Sequence, residues 1–123
     1  MALNQFSRTQ LLLGQESMDL LANATVAVFG IGGVGGYTVE ALARSGVGHF
    51  VLVDDDKVCL TNINRQIIAT RSSVGKYKVD VMKERILDIN PKAEVEVYKC
   101  FLSAGKMRTI FDFFEVFIRG GCC

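Results

Sequence analysis

A glycine-rich segment at residues 26–36 is the part of the sequence best suited to bind an anion. Gly30, Gly32 and Gly35 fill a G-x-G-x-x-G pattern directly after an apolar run, and Gly33 adds a further small position. Glycines allow a tight turn and a close approach of phosphate to the backbone, and the free N–H groups of a following helix hold the phosphate oxygens. The pattern alone is a weak signal, but its context predicts a phosphate-binding turn between a strand and a helix.

An acidic residue follows the next apolar run. Residues 49–53 are predicted to form a strand, and Asp54 comes directly after it. In mononucleotide-binding folds, an acidic side chain about 20 positions past the glycines hydrogen-bonds a ribose hydroxyl. The competing interpretation, in which the glycines serve only helix–strand packing, is disfavoured by this strand–turn–helix context. The two features together predict a nucleotide site.

A polar segment and a lysine complete the set of candidate site residues. Asp56, Asn62, Asn64 and Arg65 follow the second predicted strand, and Lys78 begins the next predicted helix. Amides suit sugar or phosphate contacts, the planar arginine fork clamps phosphate, and lysine supplies a point charge. Any one of these residues could belong to a solvated loop. The ordered set beside a glycine turn instead predicts an enzyme that stabilises leaving pyrophosphate.

Strands and helices are predicted to alternate over residues 25–100, after an N-terminal arm at residues 1–24 with a short helix near Glu16–Leu21. This order predicts an α/β fold with a Rossmann-like parallel sheet, equal to one mononucleotide-binding half. A dinucleotide would require a second half, so ATP is favoured over a nicotinamide cofactor. The predicted strands span 25–29, 49–53 and 94–98, and the helices span 34–45 and 76–89, with a further short helix around 63–68.

Apolar spacing predicts which face of each main helix is buried. The helix at 34–45 is expected to bury Val34, Ala41 and Leu42 and to end at Gly46. The helix at 76–89 ends at the Asn-Pro pair of residues 90–91 and is expected to bury a stripe of four side chains, Val79, Met82, Ile86 and Ile89.

Composition excludes several classes of function. The 123 residues are 50% apolar with a net charge of +1, as in one globular domain without a general attraction to nucleic acid or membrane. No apolar run is long enough to span a bilayer and no signal peptide is evident, so we expect a cytoplasmic protein. The four cysteines lack C-x-x-C spacing and are expected to be reduced. No set of residues has the spacing of a resident metal site.

Several motifs resemble those of the ThiF/MoeB/HesA superfamily, which is related to ubiquitin-activating enzymes. They are GIGGVGG at 30–36, ARSGVG at 43–48, Asp-x-Asp at 54–56, Asn-x-Asn-Arg-Gln at 62–66 and VGKYK at 74–78. The resemblance extends from about residue 4 to about residue 102. Within the superfamily, the sequence VCLTNINRQI at residues 58–67 is most similar to the branch of tRNA threonylcarbamoyladenosine dehydratases.

The resemblance implies a role for each matching residue. Gly33 resembles the glycine that packs against the ATP phosphates, and Asp54 resembles the ribose-binding acid. Asn62, Asn64 and Arg65 resemble the phosphate-side loop. Lys78 resembles the phosphate lysine.

The resemblance also implies an activity and partners. Arg8 resembles an arginine that reaches the ATP of the second subunit in homodimers. The implied reaction activates a threonyl carboxylate on tRNA by adenylation with ATP and Mg²⁺, and then cyclises the modified base with loss of AMP. This chemistry depends on positioning and charge stabilisation, with Arg8, Arg65 and Lys78 as the catalytic candidates.

Three other functions stay open. The first is adenylation of the C-terminal glycine of a ubiquitin-like sulfur-carrier protein. The second is a non-catalytic nucleotide-binding or dimerisation fragment, which would bind ATP without pyrophosphate exchange. The third is a short NAD-binding module, which the Asn-x-Asn-Arg-Gln cluster and Lys78 disfavour.

The tail at residues 101–123 departs from the superfamily pattern, which continues into a strand ending in Asp-Ala-x-Asp. Codons for residues 114–123 exist that, read one base later, encode Ser-Arg-Tyr-Ser-Tyr-Val-Val-Asp-Ala-Val. We therefore expect a frameshifted tail and a truncated enzyme. The sheet would then end at an open parallel edge, unless the tail packs as a substitute strand or helix.

Overall fold

The computed structural model describes residues 3–100 and the backbone of residues 116–119. Within these residues, helices and strands alternate along most of the chain. No described helix has both the length and the apolar character needed to cross a membrane. The elements in chain order are α1 (Ser7–Leu13), α2 (Gln15–Asn23), β1 (Thr25–Phe29), α3 (Gly33–Ser45), β2 (His49–Val53), a 3-10 helix (Leu60–Asn64), α4 (Lys78–Ile89), β3 (Glu94–Tyr98) and β4 (Val116–Arg119).

The four strands form one parallel sheet in the order β3-β2-β1-β4. All but the first residue of β1 and of β2 is buried, which explains why both strands are continuous apolar runs. β3 alternates between exposed and half-buried residues, as expected of a strand with one covered face. The predicted α/β fold and the bounds of the first three strands are confirmed.

The tail supplies the fourth strand. β4 pairs with β1 in parallel register, from Val26 opposite Val116 to Phe29 opposite Arg119. The expectation of an open edge beside β1 is therefore wrong, and the alternative of a substitute strand is what the structure shows. The pairing satisfies backbone groups that an edge would leave unpaired. The rest of the tail, residues 101–115 and 120–123, lies outside the described residues, and the frameshift remains a hypothesis about the gene.

The N-terminal arm contains two helices where the sequence predicted one. α2 includes the predicted helix at 16–21, whereas α1 was not predicted. Gly14, at φ +85°, separates the two helices. Met18 is the buried residue of α2, and the amide of Gly48 donates to the carbonyl of Leu21. These contacts fix α2 at the amino edge of the sheet, where β2 begins.

The predicted buried face of α3 is partly wrong. Val34 and Ala41 are exposed, and Leu42 is partly buried against the core. Gly35 and Gly36 in its first turn are buried instead, and a Cβ on Gly36 would lie 3.4 Å from Ile67 Cγ2. Gly46 ends the helix in the left-handed conformation, as predicted. The residues that α3 buries are Gly35, Gly36, Val39, Glu40 and Ala43.

The predicted apolar stripe of α4 is confirmed. Val79, Met82 and Ile86 are fully buried, and Ile89 packs against the core while half-buried. The helix begins two residues later than predicted, because Tyr77 is extended and forms its N-cap.

A buried carboxylate joins α3 to α4. Glu40 accepts hydrogen bonds from Arg85 of α4, with Nε–Oε2 at 2.5 Å and Nη2–Oε1 at 3.1 Å, and from Arg44 Nε at 2.9 Å. Burial alone would raise the pKa of Glu40, but the two arginines outweigh it and hold the pKa below its usual value. The same contact raises the pKa of Arg85. The ionised pair therefore stabilises the packing of the two helices.

We expect Glu40→Gln to lower the free energy of unfolding at pH 7 by about 1–3 kcal/mol, because it removes charge-assisted hydrogen bonds. The pKa of Glu40 is lowered in the folded state, so this contribution is present above the unfolded pKa and is lost as the pH falls through the folded pKa. Urea unfolding from pH 7 to pH 3 should show the difference shrinking below about pH 4. The exposed Glu84→Gln is the matched control, and a difference that does not change with pH would contradict the assignment.

Candidate functional site

The carboxyl ends of three strands meet at one edge of the sheet. The amide of Gly30, after β1, donates to the carbonyl of Val53 at 2.8 Å, and the amide of Asp54, after β2, donates to the carbonyl of Tyr98 at 3.2 Å. The glycine turn, the acidic segment and the end of β3 are thereby neighbours. In open parallel sheets this edge is where ligands bind.

The glycine turn leaves open space beside the first turn of α3. Gly30 has φ +88°, in the left-handed region that favours glycine. Gly32 is the N-cap of α3 and accepts from the amide of Gly36. A Cβ built on Gly33 would meet no atom within 4 Å, so open space faces the first turn of the helix. An anion placed there would face the unpaired N–H groups of this turn.

Asp54 ties the glycine turn to the acidic segment. Its Oδ2 accepts from the amide of Ile31 at 2.7 Å, and its Oδ1 accepts from the amide of Asp56 at 2.8 Å. The sequence predicted that Asp54 binds a ribose hydroxyl, but it did not predict that Asp54 joins the two backbone segments. The two roles are compatible, because each carboxylate oxygen has a second lone pair.

Lys78 is a buried cation at the start of α4. Its side chain is 1% exposed, and its Nζ lies 3.9 Å from Asp56 Oδ2. Its amide donates to the carbonyl of Asp56, and Lys57 forms an antiparallel bridge with Tyr77. The two segments are thus paired, and they border a cavity of about 420 Å³ lined by Asp55, Asp56, Lys57, Cys59, Asn62, Tyr77 and Lys78.

The asparagines of the polar segment are used within it. Asn62 is buried, and its Oδ1 accepts from the amide of Cys59 at 2.9 Å, which caps the 3-10 helix. Asn64 is exposed, and its Oδ1 accepts from Arg65 Nη1 at 2.9 Å. Arg65 Nη1 also donates to the carbonyl of Thr61 at 3.1 Å. The amide oxygens of both asparagines therefore shape the loop rather than point away from it.

Arg65 lies beside the glycine turn. It lines an open groove of about 590 Å³ together with Gly33, Val34, Tyr37, Thr38 and Ala41. The structure therefore brings Arg65 and Gly33 to one groove, and Lys78 and Asp56 to a cavity at the same sheet edge. The groove explains why Val34 and Ala41 are exposed.

Arg8 is not brought to this site. It is exposed on α1, and the arm carrying it is fixed at the opposite edge of the sheet. Gln5 Nε2 donates to the carbonyl of Ile89 at the end of α4, and Met18 Cε lies 3.0 Å from the Cβ position of Gly46. Since α3 has 13 residues, its two ends are separated by about 20 Å. Arg8 cannot serve the glycine turn of its own chain in this conformation.

The sequence did not predict two other features of this edge. Lys57 and Lys99 place their Nζ atoms 5.1 Å and 4.7 Å from the ring centroid of Tyr77, and Lys99 also pairs with Asp80 at 2.9 Å. Gln66 is fully buried, with both side-chain amide atoms unpaired among the described residues. Because Lys99 directly follows β3, the sequence could have placed it at this edge of the sheet. No local sequence pattern indicates that Gln66 is buried.

Three carboxylates converge at the end of β2. One oxygen from each of Asp54, Asp55 and Asp56 lies within 4.8 Å of the others. The sequence predicted no resident metal, and that stays a prediction. The cluster adds negative charge beside Lys78.

The sheet, the glycine turn and the charged residues at its edge define an α/β nucleotide-binding domain of the Rossmann-like class. A family model matches residues 6–120, and the chain belongs to the ThiF family.

Sequence comparison identifies relatives of this chain within the family. The chain is 53% identical over 111 residues to the tRNA threonylcarbamoyladenosine dehydratase of Bacillus subtilis, covering 90% of this chain and 44% of the relative. It is 48% identical to the enzyme of that name from Escherichia coli, covering 80% of this chain and 37% of the relative. An adenylyltransferase and sulfurtransferase of Culex quinquefasciatus is 34% identical over 93% of this chain and 26% of the relative. The chain thus spans less than half the length of these relatives.

Solved structures agree. The Escherichia coli tRNA N6-threonylcarbamoyladenosine dehydratase in complex with ATP superposes with a TM-score of 0.90 at 42% identity, covering 94% of this chain and 48% of that chain. The sequence-based assignments of superfamily and fold are confirmed.

We expect Gly33→Ala to weaken ATP binding at least about tenfold while leaving the fold intact. The added methyl group would occupy the open space in front of the first turn of α3, and alanine within a helix stabilises by about 0.5–1 kcal/mol relative to glycine. Isothermal titration with ATP and Mg²⁺, together with thermal unfolding, measures both effects. Ser45→Ala, at the other end of α3, is the control. Unchanged affinity in Gly33→Ala would show that phosphate does not bind there.

Proposed function

We propose that this chain is the nucleotide-binding part of an ATP-dependent tRNA threonylcarbamoyladenosine dehydratase, which activates a carboxylate by adenylation and cyclises the modified base. The observation that carries the proposal is the open space before α3, bordered by Arg65, at the sheet edge that also holds the buried Lys78. A tRNA substrate implies action in the cytoplasm.

The residues at the sheet edge fit the demands of nucleotide cleavage. ATP supplies the adenylyl group, and pyrophosphate leaves when a substrate carboxylate attacks the α-phosphorus. The N–H groups after Gly32 would hold phosphate oxygens, and Asp54 would accept from a ribose hydroxyl. Arg65 and Lys78 would stabilise the charge that grows on the leaving pyrophosphate. Burial of Lys78 strengthens its field, because the surrounding dielectric is lower than that of water.

Magnesium would arrive with ATP rather than reside in the protein. Mg²⁺ commonly uses one or two carboxylates together with substrate phosphates. The exposed carboxylates of Asp55 and Asp56 border the cavity that Lys78 also lines. They are the candidates to contact the ion through water or directly.

Sequence identity favours the dehydratase over the alternatives. The chain is 53% and 48% identical to two dehydratases but 34% identical to the adenylyltransferase of Culex quinquefasciatus. Adenylation of a ubiquitin-like sulfur carrier is therefore the second candidate. A nucleotide-binding fragment without catalysis is the third, because the chain covers 44% of the Bacillus subtilis relative.

We expect Lys78→Met and Arg65→Ala each to weaken ATP binding at least about tenfold, because each removes a cation facing the phosphates. Methionine preserves the unbranched shape of Lys78 and tests the charge rather than the packing. Lys83→Met, on the same helix, is the matched control and should change the dissociation constant less than about twofold. The measurement is isothermal titration with ATP and Mg²⁺, and equal losses in all three variants would contradict a specific phosphate site.

Product analysis separates the three candidates. The chain is incubated with ATP, Mg²⁺ and tRNA carrying the uncyclised modification, and the tRNA nucleosides are then examined by mass spectrometry. Loss of one water from the modified nucleoside supports the dehydratase. ATP–pyrophosphate exchange that depends on a sulfur-carrier protein would replace it with the second candidate. ATP binding without either reaction would favour the nucleotide-binding fragment.

A homodimer is the assembly that accounts for the N-terminal arm. α1 buries none of its residues, and Leu11 and Leu12 are 86% and 87% exposed. Such apolar exposure is typical of an interface. Arg8 lies on the same helix, at the edge of the sheet away from its own site. A second copy of the chain would cover these leucines and bring Arg8 to the nucleotide of its partner.

We expect Arg8→Ala and Lys78→Met to complement each other when mixed. Each homodimer would have two defective sites, whereas a mixed dimer would have one site with both residues intact. Refolded equimolar mixtures should therefore regain about a quarter of wild-type pyrophosphate exchange, since half the dimers are mixed and each has one intact site. If Arg8 acts within its own chain, the mixture would regain no activity, and sedimentation equilibrium would establish whether dimers form.

A further inference from the structure

The side-chain amide of Gln66 is an exception among the buried polar groups of its segment. Its side chain is enclosed, with the residue 2% exposed, and neither Nε2 nor Oε1 has a hydrogen-bond partner among the described residues. Nearby groups are paired, since Asn62 Oδ1 accepts from the amide of Cys59 and Ser73 Oγ donates to the carbonyl of Ile68. Buried amides are nearly always paired, so this one requires an explanation.

The position of Gln66 connects two parts of the site. The backbone N–H of Gln66 donates to the backbone carbonyl of Asn62, and the backbone carbonyl of Gln66 accepts from the N–H of Ala69. Arg65 precedes it and lines the groove. Ile67 follows it, with Cγ2 at 3.4 Å from the Cβ position of Gly36 in the first turn of α3. A shift of Gln66 would therefore move the arginine and the contact with α3 together.

Arg65 is held within its own segment. Its Nη1 donates to the carbonyl of Thr61 and to Asn64 Oδ1, so this nitrogen faces its own loop. To clamp a phosphate through Nη1 and Nη2 together, the guanidinium must turn Nη1 away from these acceptors. That movement has a cost, which a compensating gain elsewhere in the segment would offset.

We propose that Gln66 is a positioning residue that couples the segment from Leu60 to Gln66 to nucleotide binding. In the conformation described, the side-chain amide of Gln66 is unpaired among the described residues, and Arg65 donates to acceptors of its own loop. In the nucleotide-bound conformation, the amide gains hydrogen bonds and Arg65 turns to the phosphates. The unpaired amide disfavours the conformation described and so shifts the equilibrium toward one in which the amide is paired. This inference rests on the proposed nucleotide site.

Gln66→Met tests the coupling, because methionine has a similar length and leaves no polar atom to be paired. We expect the melting temperature of the nucleotide-free protein to rise by about 3 °C and the dissociation constant of ATP to rise about tenfold. Ile68→Met changes packing two residues after Gln66 without removing an amide. It is the matched control and should leave ATP affinity within about twofold of wild type.

A double-mutant cycle shows whether Gln66 acts through Arg65. If it does, Gln66→Met should have little further effect on ATP affinity in an Arg65→Ala background, whereas Ile68→Met should be additive. Unchanged ATP affinity in Gln66→Met, full additivity with Arg65→Ala, or a lower melting temperature would each overturn the proposal in favour of a bound water or a packing role. Failure of the wild-type chain to bind ATP would overturn the nucleotide site itself, and the coupling with it.

Discussion

The two hydrogen bonds accepted by Asp54 fix the geometry on which the rest of the site depends. One carboxylate oxygen takes the amide of Ile31 in the glycine turn, and the other takes the amide of Asp56 in the acidic segment. Asp56 in turn accepts from the amide of Lys78 through its carbonyl. A single side chain at the end of β2 thus connects the turn before α3 to the first residue of α4. The two helix N-termini, both sources of positive potential, are held at one edge of the sheet.

This arrangement separates binding from stability. The amino edge of the sheet carries the apolar anchoring of the arm and the close contact of Gly48 with the backbone of Ala22. The pairing of Glu40 with Arg85 then fixes α3 against α4 along their lengths. The carboxyl edge can therefore hold exposed carboxylates and a buried lysine, which a core alone would not favour.

The sequence predicted the frame of the fold because its signals were local and agreed with one another. Continuous apolar runs gave β1 and β2, alternation gave β3, and the spacing of Val79, Met82 and Ile86 gave α4. The buried face of α3 could not be predicted in the same way. Its first turn packs through glycines, which carry no apolar signal, so Val34 and Ala41 were assigned to the wrong side. β4 could not be predicted from local signals either, because a strand that pairs with β1 from the far end of the chain depends on tertiary contacts.

In the candidate site, the sequence predicted which residues take part but not their burial or their hydrogen bonds. The sequence identified the glycines, Asp54, Arg65 and Lys78 from their chemistry and order. It could not show that Lys78 is buried, that Asn62 is used as a cap, or that Arg65 is turned toward Thr61. These states arise because a polar segment without a core of its own must satisfy its backbone from nearby side chains. A loop stabilised in this way can exchange its internal hydrogen bonds for those of a ligand, whereas a loop packed on apolar contacts could not. The polar character of residues 60–66 therefore suits the proposed nucleotide site.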